Sequence, residues 1–151
     1  TTLGPLRGDQ MARLSKVMKG SEPAVTFSHL PLWPFAQKRE REIIGDPALE
    51  ALYHDLGIDL HLSGHHHAYY PGWKDGVAYV SQACLGGGPR VLIGDSTRSG
   101  HSFTVLEFED GELGSVTAYE GAEFLTPIDP KSLPAEIRSG KAVLKRLDLV
   151  R

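Results

Sequence analysis

The sequence contains no asparagine, a single cysteine in 151 residues, and no apolar run near the ~20 residues that a bilayer-spanning helix needs. The lone Cys84 excludes an internal disulfide and a zinc site built from cysteines. Neither sign of charge dominates: 16 Lys and Arg stand against 19 Asp and Glu, a net charge of −3, so no basic field points to nucleic acid or an anionic membrane. The opening Thr1-Thr2-Leu3-Gly4-Pro5-Leu6-Arg7 lacks the apolar stretch of a signal peptide, which with the single cysteine sets the expectation of a cytoplasmic protein. Hydrophobic residues at 40% and charged residues at 23% are ordinary globular usage, and the length suits one modest domain. Histidine is what the chain has in excess: seven, of which four lie between residues 61 and 67.

The order of local signals predicts a layered α/β fold. Met11, Leu14 and Met18 recur at helical spacing over 10–18, with Asp9 as the expected N-cap and Gly20 as the stop. Ala24 to Ser28 reads as a short buried strand, and Pro31 and Pro34 forbid its continuation. The charged 37–42 segment predicts a solvated helical turn. Asp46-Pro47 starts a second helix that stops at Gly57. Ile58 to Ser63 alternates apolar and polar as a strand and breaks at Gly64. Two hairpins follow, 68–73 with 77–81 around Asp75-Gly76, and 102–109 with 112–120 around Asp110-Gly111. Residues 122–151 predict a tail packed on the 1–121 domain, with at most a short helix near 134–139. Together these give a mixed sheet with helices on one face.

His65 and His67 follow a strand and a glycine. In extended backbone such residues point to one side, with Cα atoms ~6–7 Å apart, so two imidazoles can converge on one ion or on two neighbouring ions. His29 holds the equivalent place after the other buried strand. If the two strands are parallel neighbours, all three rings meet at one carboxyl edge, where α/β proteins bind ligands. A histidine past a strand is ordinarily a surface or core residue. The combination of strand, glycine, His-x-His and a second strand-end histidine favours ligation for His29, His65 and His67. His66 is expected to face the opposite way, toward substrate or solvent, and His54 and His61 to be structural.

Ser28-His29-Leu30-Pro31 and Ser63-Gly64-His65-His66-His67 resemble the last two metal motifs of the calcineurin-like metallophosphoesterase family, a lone His after a strand and a later Gly-His-x-His. The helix from Asp46, the lead-in over 57–60 and the segment from Gly4 to Leu14 are similar as well, so the resemblance spans about residues 1–120. It implies a four-layer αββα sandwich of which this chain is the C-terminal half. It also implies hydrolysis of a phosphomonoester or phosphodiester by a hydroxide bridging two divalent ions (manganese, iron or zinc), His29 and His65 on one ion and His67 on the other. The family's earlier motifs, Asp-x-His, Gly-Asp-x-x-Asp and Gly-Asn-His-Asp/Glu, are not matched. With no asparagine the last cannot occur, none of the three Gly-Asp pairs has an aspartate three residues on, and Asp59-Leu60-His61 lies on the strand that feeds Gly64. The expectation is therefore weak or partial metal occupancy and little activity in this chain, the missing N-terminal half being its partner.

Lys38, Arg39 and Arg41 could meet a substrate phosphate, of which Arg39 is taken as the candidate beside His66. Gly86-Gly87-Gly88 with Arg90 could cradle an anion, although no helix start follows and a tight loop is favoured. Trp33 and Phe35 are expected to pack, and Cys84 to be an inert buried thiol. A rival class is a non-catalytic interaction module that keeps the half-fold. Under either reading, apolar surface left bare where a second sheet would pack could drive homodimerisation.

Overall fold

The computed structural model describes residues 4–151; Thr1 to Leu3, at the edge of the expected 1–121 domain, lie outside the described residues. The described residues form a mixed α/β fold of three layers: two α-helices, a six-stranded mixed sheet and a three-stranded antiparallel sheet. Helix α1 (Gly8–Met18) buries no residue completely, but Met11, Leu14 and Met18 lean on the core as their spacing requires. Arg7 and not Asp9 is its N-cap, and its backbone N–H donates to Gln10 Oε1 at 3.0 Å. Helix α2 (Pro47–Asp55) is capped by the Asp46 carboxylate, which accepts from the Ala48 and Leu49 N–H groups. The same carboxylate also accepts from the Leu6 N–H at 3.0 Å, so one buried side chain starts α2 and ties down the approach to α1.

Strand β1 (Val25–Ser28) pairs in parallel with β2 (Leu60–Ser63), Ser28 opposite Ser63. This is the neighbour relation on which the carboxyl-edge argument depended. Next come β4 (Val77–Ser81), parallel to β2, and β3 (Tyr70–Lys74), antiparallel to β4 through a turn in which Asp75 and Gly76 have φ of 50° and 88°. Strands β5 (Ser102–Glu109), β6 (Glu112–Glu120) and the two-residue β7 (Thr126–Pro127) form the second sheet. Leu60, Ala78 and Val80 face it across a core shared with Leu113 and Ala118, while Val77 and Tyr79 face the helices. The alternation along β2 therefore marks two packed faces and no wet one: His61, its polar member, is buried.

The C-terminal segment packs on the rest of the fold as strands, which corrects the expectation of a short helix near 134–139. Residues Glu136–Ser139 and Ala142–Arg146 are strands β8 and β9, a hairpin turning at Gly140 that extends the six-stranded sheet through β3. Its Leu144 is fully buried over Gly72, where an added Cβ would lie 2.4 Å from Leu144 Cδ2. Only glycine at 72 lets this hairpin dock. The 37–42 segment is not helical either. Ala36 bridges Leu92, and the Gln37 N–H donates to the Val91 carbonyl at 2.9 Å, so these charged residues form turns pinned to the 86–98 loop. At the opposite margin β1 pairs, among the described residues, on one side only, with β2, and Phe27 on it is 83% exposed beside Val17 at 65%. No helix among the described residues is long and apolar enough to cross a membrane.

Candidate functional site

Parallel pairing of β1 and β2 brings the two following turns together at the carboxyl edge. The Gly64 N–H donates to the His29 carbonyl at 3.1 Å, and that contact sets the turns side by side. The rings of His29 and His65 then meet edge to face, with His29 Nε2 3.1 Å from His65 Nδ1. On its far side, His65 Nε2–H donates to Glu42 Oε2 at 2.6 Å. That bond assigns the His65 tautomer: the proton is on Nε2, and the Nδ1 lone pair faces His29. Glu42 is itself paired with the Arg39 guanidinium, which chiefly, with the His65 ring second, holds its carboxyl below the ordinary carboxylate range.

The His65–His67 turn is not extended. His65 and His67 both take left-handed backbone, φ of 63° and 48°, so the expected same-side alignment of i and i+2 does not operate. His67 is aimed instead by the glycine loop. Its Nδ1–H donates to the Gly88 carbonyl at 3.3 Å, leaving Nε2 as its open nitrogen. The ring lies against Gly87, where an added Cβ would sit 3.2 Å from His67 Cε1, and Gly87 has a φ of 137°. The loop's glycines thus form a shelf for a histidine ring. Arg90 closes the arrangement: its N–H donates to the His67 carbonyl at 3.1 Å and its guanidinium to the His65 carbonyl at 2.7 Å.

His66 departs from the expectation that it faces substrate or solvent. It is 0% exposed, its Nδ1 accepts from the Phe35 and Ala36 N–H groups at 3.1 and 3.2 Å, and its Nε2–H donates to the Glu42 carbonyl at 3.1 Å. Burial pushes the ring's pKa down to about 4. Two left-handed neighbours turn the middle histidine inward, where it fastens the turn to the 30–42 loop. His61 is structural as expected, buried on β2 between Thr26 (2.9 Å), Ser28 (3.1 Å) and Tyr53 (3.3 Å), with its pKa likewise lowered by burial to about 4. His54 is exposed beside Asp55. Asp59 receives the Ala24 N–H at 2.8 Å, a strand-tying role. Trp33 and Phe35 are packed in the core, and Cys84 is buried, which raises its thiol pKa.

The structure therefore brings His29 and His65 together, sets His67 on a neighbouring shelf and places Arg39 behind Glu42. Among the described residues no group of three or more His, Cys, Asp and Glu side chains is arranged to hold a metal ion. Glu42 is the residue that sequence reasoning missed. Nothing in a charged turn 23 positions before His65 distinguishes it from its acidic neighbours. No protein-family model and no curated protein matches the chain.

Proposed function

We propose that the chain contributes His29, His65 and His67 to the metal centre of a metal-dependent phosphoesterase, as the C-terminal half of a four-layer αββα domain whose carboxylate ligands lie in other residues. The observation that carries this is the facing pair His29 Nε2 and His65 Nδ1 at 3.1 Å. Two nitrogens bound to one ion at ~2.0–2.1 Å, between right and tetrahedral angles, stand ~2.9–3.4 Å apart. Here the same distance is met by a hydrogen bond between the two rings, His29 Nε2–H donating to His65 Nδ1. Glu42 adds the support that ligating histidines ordinarily have, a carboxylate on the ring's other nitrogen that fixes tautomer and orientation.

The fit is partial. Three neutral imidazoles suit manganese, iron or zinc, but offer no negative charge to offset the repulsion of two divalent ions. When bound, the ions would supply Lewis-acid activation of water and of phosphoryl oxygens. The chain's own contributions are to bring two ring nitrogens to one point, to hold His67 nearby on the glycine shelf and to set Arg39, Arg90 and Lys38 at the rim toward a phosphate. The open edge of β1 and exposed Phe27 suit a fold that continues on that side. They suit equally the second reading, a non-catalytic interaction module or homodimer. The lack of a three-ligand group among the described residues favours that reading.

Zinc or manganese titration, followed through the histidine ring resonances, tests the proposal. The His29 and His65 signals should respond together, with those of His61 and His66 unmoved, and turnover of an aryl phosphate by this chain should be negligible. Absence of any response at His29 and His65 refutes the metal assignment.

A further inference from the structure

The turn after Ala36 and the loop after Gly88 enclose a cavity of about 430 Å³, lined by Lys38, Arg39, Arg90 and Arg98 together with Gln37 and Pro89. That size is within the range of ordinary ligand sites. Its charge is one-sided. Lys38, Arg90 and Arg98 have no carboxylate partner among the described residues, and only Arg39 is neutralised, by Glu42. Asp95, the acid nearest in sequence to Arg98, turns its carboxylate to the Ser96 and Thr97 N–H groups and the Thr97 hydroxyl. The cations are held in place by the backbone: Arg90 donates to the His65 carbonyl at 2.7 Å and Arg98 to the Pro89 carbonyl at 3.0 Å, while Gln37 spans to the carbonyls of Leu92 and Asp95. Guanidiniums tethered through one nitrogen keep the rest of the fork for an anion.

The cavity is continuous with the histidine turn, because Gly88 lines it while its carbonyl receives the His67 ring. We propose that it binds an additional phosphate group of a polyanionic phosphate compound, beside the phosphate that the histidine cluster would engage. This rests on the phosphoesterase reading for its place in a reaction, and it names the substrate class of that site: compounds with two or more linked phosphates, such as polyphosphates or nucleotides, over simple monoesters. The binding itself requires no metal and can be read separately.

Calorimetric titration of the full chain with tripolyphosphate and with inorganic phosphate, in chelator-containing buffer, tests it. The expected result is tripolyphosphate binding at least about tenfold tighter than phosphate. A Lys38→Gln/Arg98→Gln double variant should lose about tenfold or more, in line with the removal of two charge-assisted contacts. Lys141→Gln, on the remote β8–β9 turn, should stay within about threefold of the unsubstituted chain. No tripolyphosphate binding, equal affinity for the two anions, an undiminished double variant, or an equal loss in Lys141→Gln overturns the proposal. Tripolyphosphate binding as expected, combined with no metal response at His29 and His65, would sustain the cavity and sink the phosphoesterase reading alone.

Discussion

His61 and His66 lie within a few residues of His65 and His67, on the same strand and turn, yet the two pairs have opposite chemistry. The inner pair is buried, with both ring nitrogens of each engaged by protein atoms, and burial drives the pKa of each down to about 4. The outer pair is reached from solvent: His65 has one nitrogen on the Glu42 carboxylate and the other against the His29 ring, while His67 has one on the Gly88 carbonyl and the other open. Residue type is thus no guide to role here. What each ring's second nitrogen meets, a hydroxyl or backbone group of the core or else a neighbouring exposed ring or open space, separates a histidine that holds the fold together from one that can offer a lone pair to something else.

The sharpest way to break this contrast is by truncation. His66→Ala should cost about 3–5 kcal/mol, because it strands the Phe35 and Ala36 N–H groups and the Glu42 carbonyl in a buried site. His29→Ala, at the exposed rim, should cost under about 1 kcal/mol. Urea denaturation of the two variants measures the difference, and equal losses would erase the distinction.

Acidification probes the inner pair without mutation. For each ring the folded pKa of about 4 lies below the ordinary 6.5, so the unfolded chain takes up the proton first. The stabilisation from keeping a ring neutral is complete above about pH 6.5 and is lost as the pH falls toward 4, at most roughly 3 kcal/mol for each ring. Stability measured across that window should fall, and the His61 and His66 ring resonances should stay those of neutral imidazole until near its lower end. A flat profile from pH 6.5 to 4 would contradict the assignment.

Gly87→Ala bears on the outer pair. The substitution forces a side chain onto backbone at φ of 137° and presses it against His67, so a loss of about 2 kcal/mol is expected, with a shift of the His67 ring signals and none at His61. Unchanged His67 signals would mean that the shelf does not position that ring.

Much of the frame was legible in the sequence because its signals are local. Asp46-Pro47 starts a helix by capping, Asp75-Gly76 and Asp110-Gly111 close hairpins by their tolerance of positive φ, and the placing of His29 after one strand and His65 after the next needed only parallel pairing to bring them together. What was not legible depends on distant partners. The orientation of His66 is set by N–H groups 30 and 31 residues away, and the β8–β9 hairpin exists because Leu144 finds a glycine at position 72. Glu42 is of the same kind, since its role is conferred by a ring that the fold delivers to it.

That makes Glu42 the finest test of the comparison. If His65 is a ligand whose lone pair is aimed from behind, then Glu42→Gln keeps the size of the partner and removes its charge. The ring can then turn, or take its proton on Nδ1, where it blocks coordination. Zinc affinity at the His29–His65 pair should fall about tenfold, at the lower end of the 10- to 100-fold range for such supporting carboxylates. The fold should lose little, because Glu42 is half-exposed and its backbone carbonyl, the atom that His66 uses, is untouched. If the His29–His65 contact is merely structural, the variant should instead alter stability and metal binding by equally small amounts. Zinc titration and urea denaturation of the same protein sample distinguish the two outcomes.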